Sequence, residues 1–332
     1  MDLLMLFLFA AVSFAITFFS TPVLIASARR KKIFGTDDNK LDKPKIPYMG
    51  GLALFAGIAS GLLLSILYLV FLQENRIAVE LLFASLAAVT LLALIGVFDD
   101  FFKLTWKTKS LLPVIGSFPL VAITAGETVM NVPFVGAVDF GLFYTFILVP
   151  LGVTGAANAV NMAAGYNGIE AGSMAVVSAF LLLIAVQANA LPSAIILAAA
   201  LGACLAFLKY NWFPAKVFPG DVGTLVLGAA IASAVIIGNM ESYGVILFIP
   251  AFYELAATLY YYVKGVERRK ACHTPFISKN GFLSPPKGAE NYTLFYKILS
   301  FKPMREKTLV ITVLSLYFLC GMLALALYYS GV

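Results

Sequence analysis

Long apolar segments recur along the whole 332-residue chain and constrain its fold more than any other feature. A helix needs roughly 20 apolar residues to cross about 30 Å of hydrocarbon. Ten segments meet this requirement, at 3–28, 48–72, 77–98, 110–126, 142–160, 171–190, 192–209, 222–238, 243–264 and 308–330. Charged residues make up only 12% of the chain, about half the share typical of soluble domains. The sequence therefore predicts an all-α polytopic integral membrane protein with about ten transmembrane helices.

The basic residues are distributed unevenly between alternate connecting segments. Of 23 Lys and Arg residues, 22 fall in loops on one side of the predicted spans, and Arg76 is the exception. Because basic loops stay in the cytosol, we expect this side to be cytosolic and both termini to lie outside. The first span has no basic segment before it and RRKK after it, which indicates a retained anchor rather than a cleaved signal peptide.

Two connecting segments differ from the short loops. Residues 127–141 alternate weakly and contain Pro and Gly, which predicts a short extracytosolic hairpin. Residues 265–306 form one long polar cytosolic loop, and loops of this length are usually functional. No internal repeat is evident in the sequence, so residues 1–332 are interpreted as a single transmembrane domain.

The cysteine and histidine content excludes several classes of site. Cys204, Cys272 and Cys320 are scattered and form no CxxC motif, so they imply neither a disulfide framework nor a zinc cluster. Any histidine-based metal site or catalytic triad would depend on His273, the single histidine of the sequence. The net charge of +6 reflects the basic loops, and we expect no nucleic-acid partner.

Two adjacent carboxylates, Asp99 and Asp100, end the third predicted span. Negative charge at a helix C-terminus opposes the helix dipole, and the carboxylates also repel each other, so the pair needs a cation nearby. Lys103, Lys107 and Lys109 follow closely. Two interpretations stay open: a solvated, salt-bridged helix end, or a pair that organises a phosphate or a metal ion.

A third carboxylate, Asp221, lies in the segment FPGD just before the eighth predicted span. After Pro-Gly, Asp221 could cap the N-terminus of that helix. It could instead meet the Asp99–Asp100 pair and bind Mg²⁺, which prefers a few carboxylate or amide oxygens completed by water and substrate phosphate.

Amide side chains are concentrated in residues 158–172, NAVNMAAGYNGIEAG. Asn158 and Asn161 are three residues apart and therefore share one face of a helix. Asn167 precedes Gly168, a pair typical of a turn. A capped helix end would need one asparagine rather than three, and unsatisfied polar groups are costly at a membrane boundary. The pattern therefore favours a functional segment over a simple helix cap.

Two further titratable residues allow two interpretations each. Glu254 lies midway along the ninth predicted span, where a carboxylate is a functional candidate, although it could equally bond to a tyrosine or backbone group of a neighbouring helix. His273 lies in the long loop beside Arg268, Arg269 and Lys270. This cationic surface would suit an anionic substrate, but the positive-inside bias also accounts for it.

Four segments on the predicted cytosolic side form an ordered series: GTDDNK…IP at 35–47, DDFFKLTWKTKSLLP at 99–113, NAVNMAAGYNGIEAG at 158–172 and FPGD at 218–221. In order, spacing and side, this series resembles the polyprenyl-phosphate N-acetylhexosamine-1-phosphate transferase superfamily over almost the whole chain. The eukaryotic and archaeal branch that makes GlcNAc-pyrophosphate-dolichol is the most similar.

The resemblance implies a reaction and a catalytic set. The reaction would transfer a sugar 1-phosphate, GlcNAc-1-phosphate above all, from a UDP-sugar to a polyprenyl or dolichyl phosphate and release UMP. Asn161 and Asp221 would hold Mg²⁺, for which Mn²⁺ could substitute. Lys109 would contact phosphate, and Asp99 and Asp100 would orient the attacking lipid phosphate.

The resemblance also implies where the donor binds. The first loop and Asn167 would contact uracil, Phe218 would stack on it, and the last loop would cover the sugar phosphate. The implied substrate-binding residues are Thr36, Asp37, Asp38, Asn158, Asn167, Phe218, Arg268, Arg269 and His273. The implied location is the plasma membrane, or the endoplasmic reticulum in a eukaryote, with the active site facing the cytosol and a homodimer as one assembly.

The chain departs from the branch at two places. Cys272-His273-Thr274 stands where dolichol-type enzymes usually have Arg-His-Arg, and Tyr48 stands where they have a glutamate. Alternatives are therefore a transferase for another UDP-N-acetylhexosamine or for a UDP-muramyl precursor, although the bacterial cell-wall branch has a His-rich last loop. A secondary transporter is the alternative of another class, but transporters place their ionisable groups near the bilayer midplane.

Overall fold

The computed structural model describes residues 3–132, 135–266, 274–286, 288 and 291–331. Helices dominate these residues: α1 (Leu3–Arg30), α2 (Gly51–Tyr68), α3 (Arg76–Phe102), α4 (Trp106–Leu111), α5 (Phe118–Ala122), α6 (Val149–Met162), α7 (Ile169–Gln187), α8 (Leu191–Asn211), α9 (Gly220–Ile237), α10 (Glu241–Leu247), α11 (Ile249–Val263), α12 (Leu294–Phe301) and α13 (Glu306–Ser330). In the described part of the chain, eight segments are long and apolar enough to cross a membrane, or nine with a bent pair. The protein is thus a mostly helical, polytopic membrane protein.

Two predicted spans differ from straight helices. The interval 110–126 consists of α4, a 3-10 segment at Leu112–Ser117 and α5, and none of these is long enough to span. Pro113 and Pro119 lack the amide hydrogen that a continuous helix would use, which explains the break. The interval 243–264 is the pair α10 and α11, bent by 67° just before Pro250. The predicted division near Pro192 is confirmed, since α7 and α8 are separate helices.

Short strands occupy three of the connecting segments. Strands β1 (Phe34–Thr36) and β2 (Lys45–Pro47) pair in an antiparallel hairpin within the first loop. The hairpin predicted at 127–141 is confirmed as β3 (Val129–Val132) paired with β4 (Gly136–Asp139). Strands β5 (Phe276–Ile277), β6 (Phe282–Ser284) and β7 (Met304–Arg305) form a small antiparallel sheet in the long loop, which also contains α12.

The loops meet at two opposite ends of the bundle. At one end, the first loop contacts the α6–α7 turn through Asn39 and Gly165, and it contacts the α8–α9 loop through Phe218 and Pro47. We call this the basic end, because it carries the Lys- and Arg-rich loops. At the other end, the turn before β3 bonds to Asn239, between α9 and α10. Which side of a membrane each end faces stays a prediction.

Helix α9 lies at the centre and packs against α2, α3, α6 and α8. Two glycines permit its closest approaches. A Cβ on Gly96 of α3 would lie 2.5 Å from the Cα of Val222, and one on Gly228 of α9 would lie 2.5 Å from the Cα of Ala157 in α6. Both distances are shorter than real side chains allow. These crossings bring the ends of α3, α6 and α9 together at the basic end.

Candidate active site

Three predicted site residues from separate helices meet at the basic end. Asn161, in the last turn of α6, donates its amide to Asp221 Oδ1 at 2.5 Å and to Thr224 Oγ1 at 2.8 Å. Asp221 lies in the first turn of α9. Its own backbone N–H donates to Asp100 Oδ1, at the end of α3, over 2.9 Å. The sequence motifs at 99–100, 158–172 and 218–221 therefore form one cluster.

Asp100 caps helix α9 from a neighbouring helix. Its two carboxylate oxygens accept the backbone N–H groups of Asp221, at 2.9 Å, and Val222, at 3.4 Å. A carboxylate at a helix N-terminus satisfies unpaired amides and is stabilised by the helix dipole. The interpretation of Asp221 as the helix cap is wrong, because the cap residue is Pro219 and no side chain of α9 caps the helix. The Asp221 carboxylate is therefore not used as a helix cap, and it contacts Asn161 and Lys109 instead.

Lys109 lies between two carboxylates of the cluster. Its Nζ is 2.5 Å from Asp99 Oδ2 and 2.7 Å from Asp221 Oδ2. This lysine lies on α4. The chain turns between α3 and α4 at Lys103, which adopts a left-handed conformation at the end of α3. Asp99 Oδ1 accepts the backbone N–H of Leu104 at 3.0 Å and so fixes that turn. Three carboxylates and one ammonium group leave the cluster with a net negative charge.

Tyr48 also belongs to the cluster. The sequence marks it as a departure from the family pattern but does not indicate this role. Its hydroxyl donates to Asp100. Burial, together with the negative charges of Asp221 and Asp100, raises the pKa of this hydroxyl above the range reached in solution. Tyr48 therefore stays protonated and acts as a hydrogen-bond donor.

A polar cavity of about 260 Å³ opens beside the cluster. Its walls come from the first loop, the α6–α7 turn and the start of α9, and they include Thr36, Asp37, Asp38, Asn39, Tyr48, Asn161, Gly165, Phe218, Asp221 and Thr224. The aromatic ring of Phe218 packs close to Gly35 of β1. The cavity thus combines one aromatic face with carboxylate and amide oxygens, a combination suited to a nucleotide and a hydrated cation.

A second polar group, which we call the clasp, consists of Asp37, Lys40, Asn167 and Glu306. Lys40 forms ion pairs with Asp37 and, at 3.2 Å, with Glu306 Oε2. Asn167 Nδ2 donates to Asp37 Oδ2 at 3.1 Å and to Glu306 Oε1 at 2.8 Å. Its Oδ1 accepts from the backbone N–H of Ala215 at 2.6 Å. The predicted contact of Asn167 with uracil stays a prediction, since this amide is engaged inside the protein.

The remaining predicted residues lie apart from the polar cavity. Asn158 donates to the carbonyl oxygens of Ser110 and Thr154, both at 2.9 Å, and lines a separate apolar cavity. Glu254 Oε2 accepts the backbone N–H of Leu294 at 2.6 Å and thus holds the first turn of α12, which favours the structural interpretation of this buried carboxylate. Arg268, Arg269 and His273 lie outside the described residues.

The side-chain oxygens of Asp221 and Asn161 suit a magnesium ion better than a metal that needs three or more protein ligands. Among the described residues, no three His, Cys, Asp or Glu side chains are grouped as a metal site. Asp221 and Asn161 instead offer one carboxylate and one amide at the edge of a cavity large enough for water and phosphate. Magnesium usually keeps several waters and takes one or two protein oxygens, so these residues match its needs. The excess negative charge around Lys109 favours a cation at the same place.

Sequence reasoning missed Glu306 and Lys40. Glu306 begins the last long helix and is buried, although it lies next to a strongly basic loop. With only 17 acidic residues in the chain, an isolated carboxylate at a span boundary was a usable signal. Its partners, Lys40 and Asn167, come from two other segments, however, and a linear sequence does not indicate such pairings.

Comparison with known proteins identifies the family. The profile of glycosyl transferase family 4 matches residues 82–239. Two archaeal proteins assigned as UDP-N-acetylglucosamine–dolichyl-phosphate N-acetylglucosaminephosphotransferases are similar: that of Saccharolobus solfataricus is 34% identical over 80% of this chain and 81% of its own length, and that of Sulfolobus acidocaldarius 32% over 80% and 81%. A phospho-N-acetylmuramoyl-pentapeptide-transferase of Halalkalibacterium halodurans is 33% identical over 69% of this chain and 74% of its own.

The profile match and the cluster coincide. Residues 82–239 contain Asp99, Asp100, Lys109, Asn161 and Asp221, which the fold brings together from three helices and the short helix α4. The archaeal relatives extend the similarity to four fifths of the chain. The chain therefore belongs to glycosyl transferase family 4, the polyprenyl-phosphate N-acetylhexosamine-1-phosphate transferase superfamily that its motifs resemble.

Proposed function

We propose that the protein transfers N-acetylglucosamine 1-phosphate from UDP-N-acetylglucosamine to a dolichyl-type polyprenyl phosphate. The observation that carries the proposal is the Asp99–Lys109–Asp221–Asn161 cluster, of which Asp221 and Asn161 line the polar cavity. The names of the archaeal relatives support this donor and this acceptor. The products are a lipid-pyrophosphate-linked sugar and UMP.

The reaction is a displacement at phosphorus. An oxygen of the lipid phosphate attacks the β-phosphorus of the donor, the bond from that phosphorus to the bridging oxygen breaks, and UMP leaves. A phosphate monoester has its second pKa near about 6, so the attacking group is mostly dianionic at neutral pH and needs no general base. The main obstacle is the approach of one anion to another, which electrostatic stabilisation relieves.

The residues of the cluster have separate tasks in this reaction. Lys109 neutralises charge on the phosphates, because its ammonium lies between Asp99 and Asp221 and is bound to the carboxylate of Asp221, which lines the cavity. Asp100 fixes Asp221 by capping α9. Asp221 and Asn161 would hold a Mg²⁺ ion, which supplies positive charge to the donor pyrophosphate. Tyr48 keeps the Asp100 carboxylate oriented through its hydroxyl.

The polar cavity is proposed as the donor site. Phe218 provides an aromatic face for uracil, and residues 36–38 of the first loop line the same cavity as Asp221 and Asn161. This arrangement would place the base against the first loop and the pyrophosphate against the cluster. The sugar would extend toward the long loop, whose residues Arg268, Arg269 and His273 are proposed to contact it.

An apolar groove supports a lipid acceptor. Two cavities of about 420 and 180 Å³ share Leu151, Gly155 and Leu255 on the facing sides of α6 and α11. The smaller one begins at Trp106 and Asn158, close to Lys109 on α4. The groove thus extends from the cluster along the helices, as a prenyl chain attached to a phosphate at the cluster would require. Residues of both α10 and α11, on either side of their 67° bend, line the larger cavity.

A second candidate is transfer of a UDP-muramyl precursor. The 33% identity with a phospho-N-acetylmuramoyl-pentapeptide-transferase favours it as the alternative. The transporter alternative is disfavoured, because the described carboxylates of the site lie at helix ends rather than at mid-helix.

One assay separates these candidates. Detergent-solubilised protein is incubated with labelled UDP-N-acetylglucosamine, UDP-N-acetylgalactosamine or a UDP-muramyl peptide, and with prenyl phosphates of several lengths, in Mg²⁺ or in EDTA. We expect Mg²⁺-dependent formation of lipid-linked sugar with UDP-N-acetylglucosamine and equimolar UMP. Release of UDP instead of UMP, or labelling with the muramyl donor alone, would contradict the proposal.

A block in the groove tests the acceptor site. Gly155→Phe would fill the groove between α6 and α11, where the nearest side-chain atom to a Cβ is 3.9 Å away. We expect the KM for a long prenyl phosphate to rise, whereas the KM for the donor and the rate with a single-isoprene phosphate stay unchanged. An equal loss with long and short acceptors would exclude the groove as the lipid site.

We also propose that the basic end faces the cytosol, where nucleotide sugars are made, and that the enzyme resides in the plasma membrane or the endoplasmic reticulum. Lys43→Cys at the basic end and Gly136→Cys in the opposite hairpin provide a matched pair for labelling. An impermeant maleimide added to intact cells should modify the second variant and spare the first. The reverse labelling pattern would contradict this orientation.

A further inference from the structure

The clasp joins four segments that are distant in the sequence. Asp37 and Lys40 belong to the first loop, Asn167 to the α6–α7 turn, and Glu306 to the start of α13. The fourth segment, the α8–α9 loop, enters through the N–H of Ala215, which donates to Asn167 Oδ1, and through the ring of Phe213, whose centre lies 4.9 Å from Lys40 Nζ.

The charges of the clasp make it a single unit. Asp37 and Glu306 are almost fully buried, at 2% and 3% exposure. Lys40 neutralises one of these charges, and the two N–H groups of Asn167, from backbone and side chain, both donate to Glu306 Oε1 at 2.8 Å. Removing one member of such a buried network leaves another buried charge without compensation. The clasp therefore opposes any movement of the first loop away from α13.

The clasp also determines the position of one cavity wall. Thr36, Asp37, Asp38 and Asn39 are consecutive residues of the first loop, and all four line the polar cavity. The loop is held at both sides of this stretch, by the β1–β2 pairing at Thr36 and by Asn39, which donates to the carbonyl of Gly165 at 2.7 Å. Glu306 and Lys40 themselves do not line the cavity.

We propose that Glu306 and Lys40 are positioning residues for donor binding. They hold residues 36–39 at the distance from Phe218 and Asp221 that a nucleotide needs, without touching the nucleotide. This inference rests on the proposed function, since it assumes that the polar cavity receives the UDP-sugar. It also links the long loop to the donor site, because Glu306 is the first helical residue after that loop.

Two variants and one matched control test the proposal. Glu306→Gln keeps the shape and the bonds to Asn167 but removes the charge that pairs with Lys40. Lys40→Met removes the other partner. Lys43→Met is the control: Lys43 also pairs with a carboxylate of the same loop, Asp38 at 3.5 Å, but this pair is exposed and contributes little.

The kinetic readout distinguishes positioning from catalysis. In both variants we expect the KM for the UDP-sugar to rise about tenfold or more, because a small displacement of a binding loop is amplified in affinity. The kcat and the KM for the prenyl phosphate should stay within about twofold, and the double variant should be no worse than the more affected single variant. Lys43→Met should match the wild type. A fall in kcat with an unchanged donor KM would overturn the proposal.

A physical readout separates failure of this inference from failure of the proposed function. Hydrogen exchange of the full-length protein in detergent needs no turnover, and we expect residues 34–47 to exchange faster in both variants while α9 and α3 stay protected. If the wild type is inactive with every donor, affinity for UMP measured by calorimetry replaces KM, and the same rise in dissociation constant is expected. An unchanged first loop, or a uniform rise of exchange across all helices, would overturn the positioning role.

Discussion

Lys109 Nζ lies 2.7 Å from Asp221 Oδ2, although the two residues are more than one hundred positions apart in the sequence, and the same nitrogen contacts Asp99 at 2.5 Å. The ammonium therefore offsets repulsion between two carboxylates and places a positive charge next to Asp221, which lines the cavity. Lys109→Met should lower kcat by about 10²-fold or more, as removal of a charge-stabilising group does in comparable sites. Lys107→Met, on the exposed side of α4, should have wild-type kinetics. Equal activity of both variants would remove Lys109 from the mechanism.

Asp221 and Asn161 should be required for magnesium-dependent turnover. Asp221→Ala and Asn161→Ala each remove an oxygen donor at the cavity and should abolish Mg²⁺-dependent incorporation of labelled sugar phosphate into lipid. Membrane insertion and gel-filtration behaviour should be unchanged, because Asp100 rather than Asp221 caps α9. Near-normal turnover of either variant would show that the metal assignment is wrong.

The pH dependence should be set by the acceptor rather than by Tyr48. Burial and the neighbouring carboxylates raise the pKa of Tyr48, so its hydroxyl stays protonated at neutral pH. As the pH falls below about 6, the lipid phosphate gains a proton and becomes a weaker nucleophile, so kcat/KM should fall on the acid side. Tyr48→Phe should lower kcat/KM at all pH values without changing the shape of the profile. An alkaline loss that disappears in Tyr48→Phe would show that this tyrosine titrates.

Close packing at Gly228 should be essential for stability. A Cβ at this position would lie 2.5 Å from the Cα of Ala157, a backbone atom that has little room to move. Gly228→Ala should therefore force α6 and α9 apart and destabilise the protein by about 1–3 kcal/mol, together with a loss of activity. Gly152→Ala in the same region is the matched control, since the nearest atom there is 3.9 Å away. Thermal unfolding in detergent compares the two, and equal unfolding temperatures would contradict the packing argument.

Glu254 should act as an acceptor for a backbone amide rather than as a charge. Its Oε2 accepts the N–H of Leu294 and holds α12 against α11. Glu254→Gln retains a carbonyl oxygen and should keep activity within about twofold, whereas Glu254→Ala leaves that part-buried amide without its acceptor and should cost about 1–3 kcal/mol of stability. A folded Glu254→Gln protein without activity would assign the carboxylate a chemical role.

The helical architecture was largely readable from the sequence. Apolar segments of sufficient length must be helical in a membrane, because each helix satisfies its own backbone hydrogen bonds. This reasoning gave the separate helices on either side of Pro192, and the weak alternation with Pro and Gly gave the hairpin at 127–141. At 110–126 the structure has a run of α4, a 3-10 segment and α5 instead of one regular α-helix, with Pro113 and Pro119 in the part that departs from it. Hydropathy averages over such a segment, whereas helix continuity depends on individual amide groups.

The sequence indicated several residues that belong to the candidate site, but it did not indicate what each of them does. In the sequence, the resemblance to the family implied that Asp99, Lys109, Asn161 and Asp221 belong to one site, whereas the residues by themselves left the roles of Asp99, Asp100 and Asp221 open. The tertiary structure decided that Asp100 caps α9 and that Glu306 ties the last helix to the first loop. Such assignments depend on which donor lies within about 3 Å of which acceptor. That distance depends on how closely the helices approach one another, and a periodic pattern in the sequence does not predict how closely they approach.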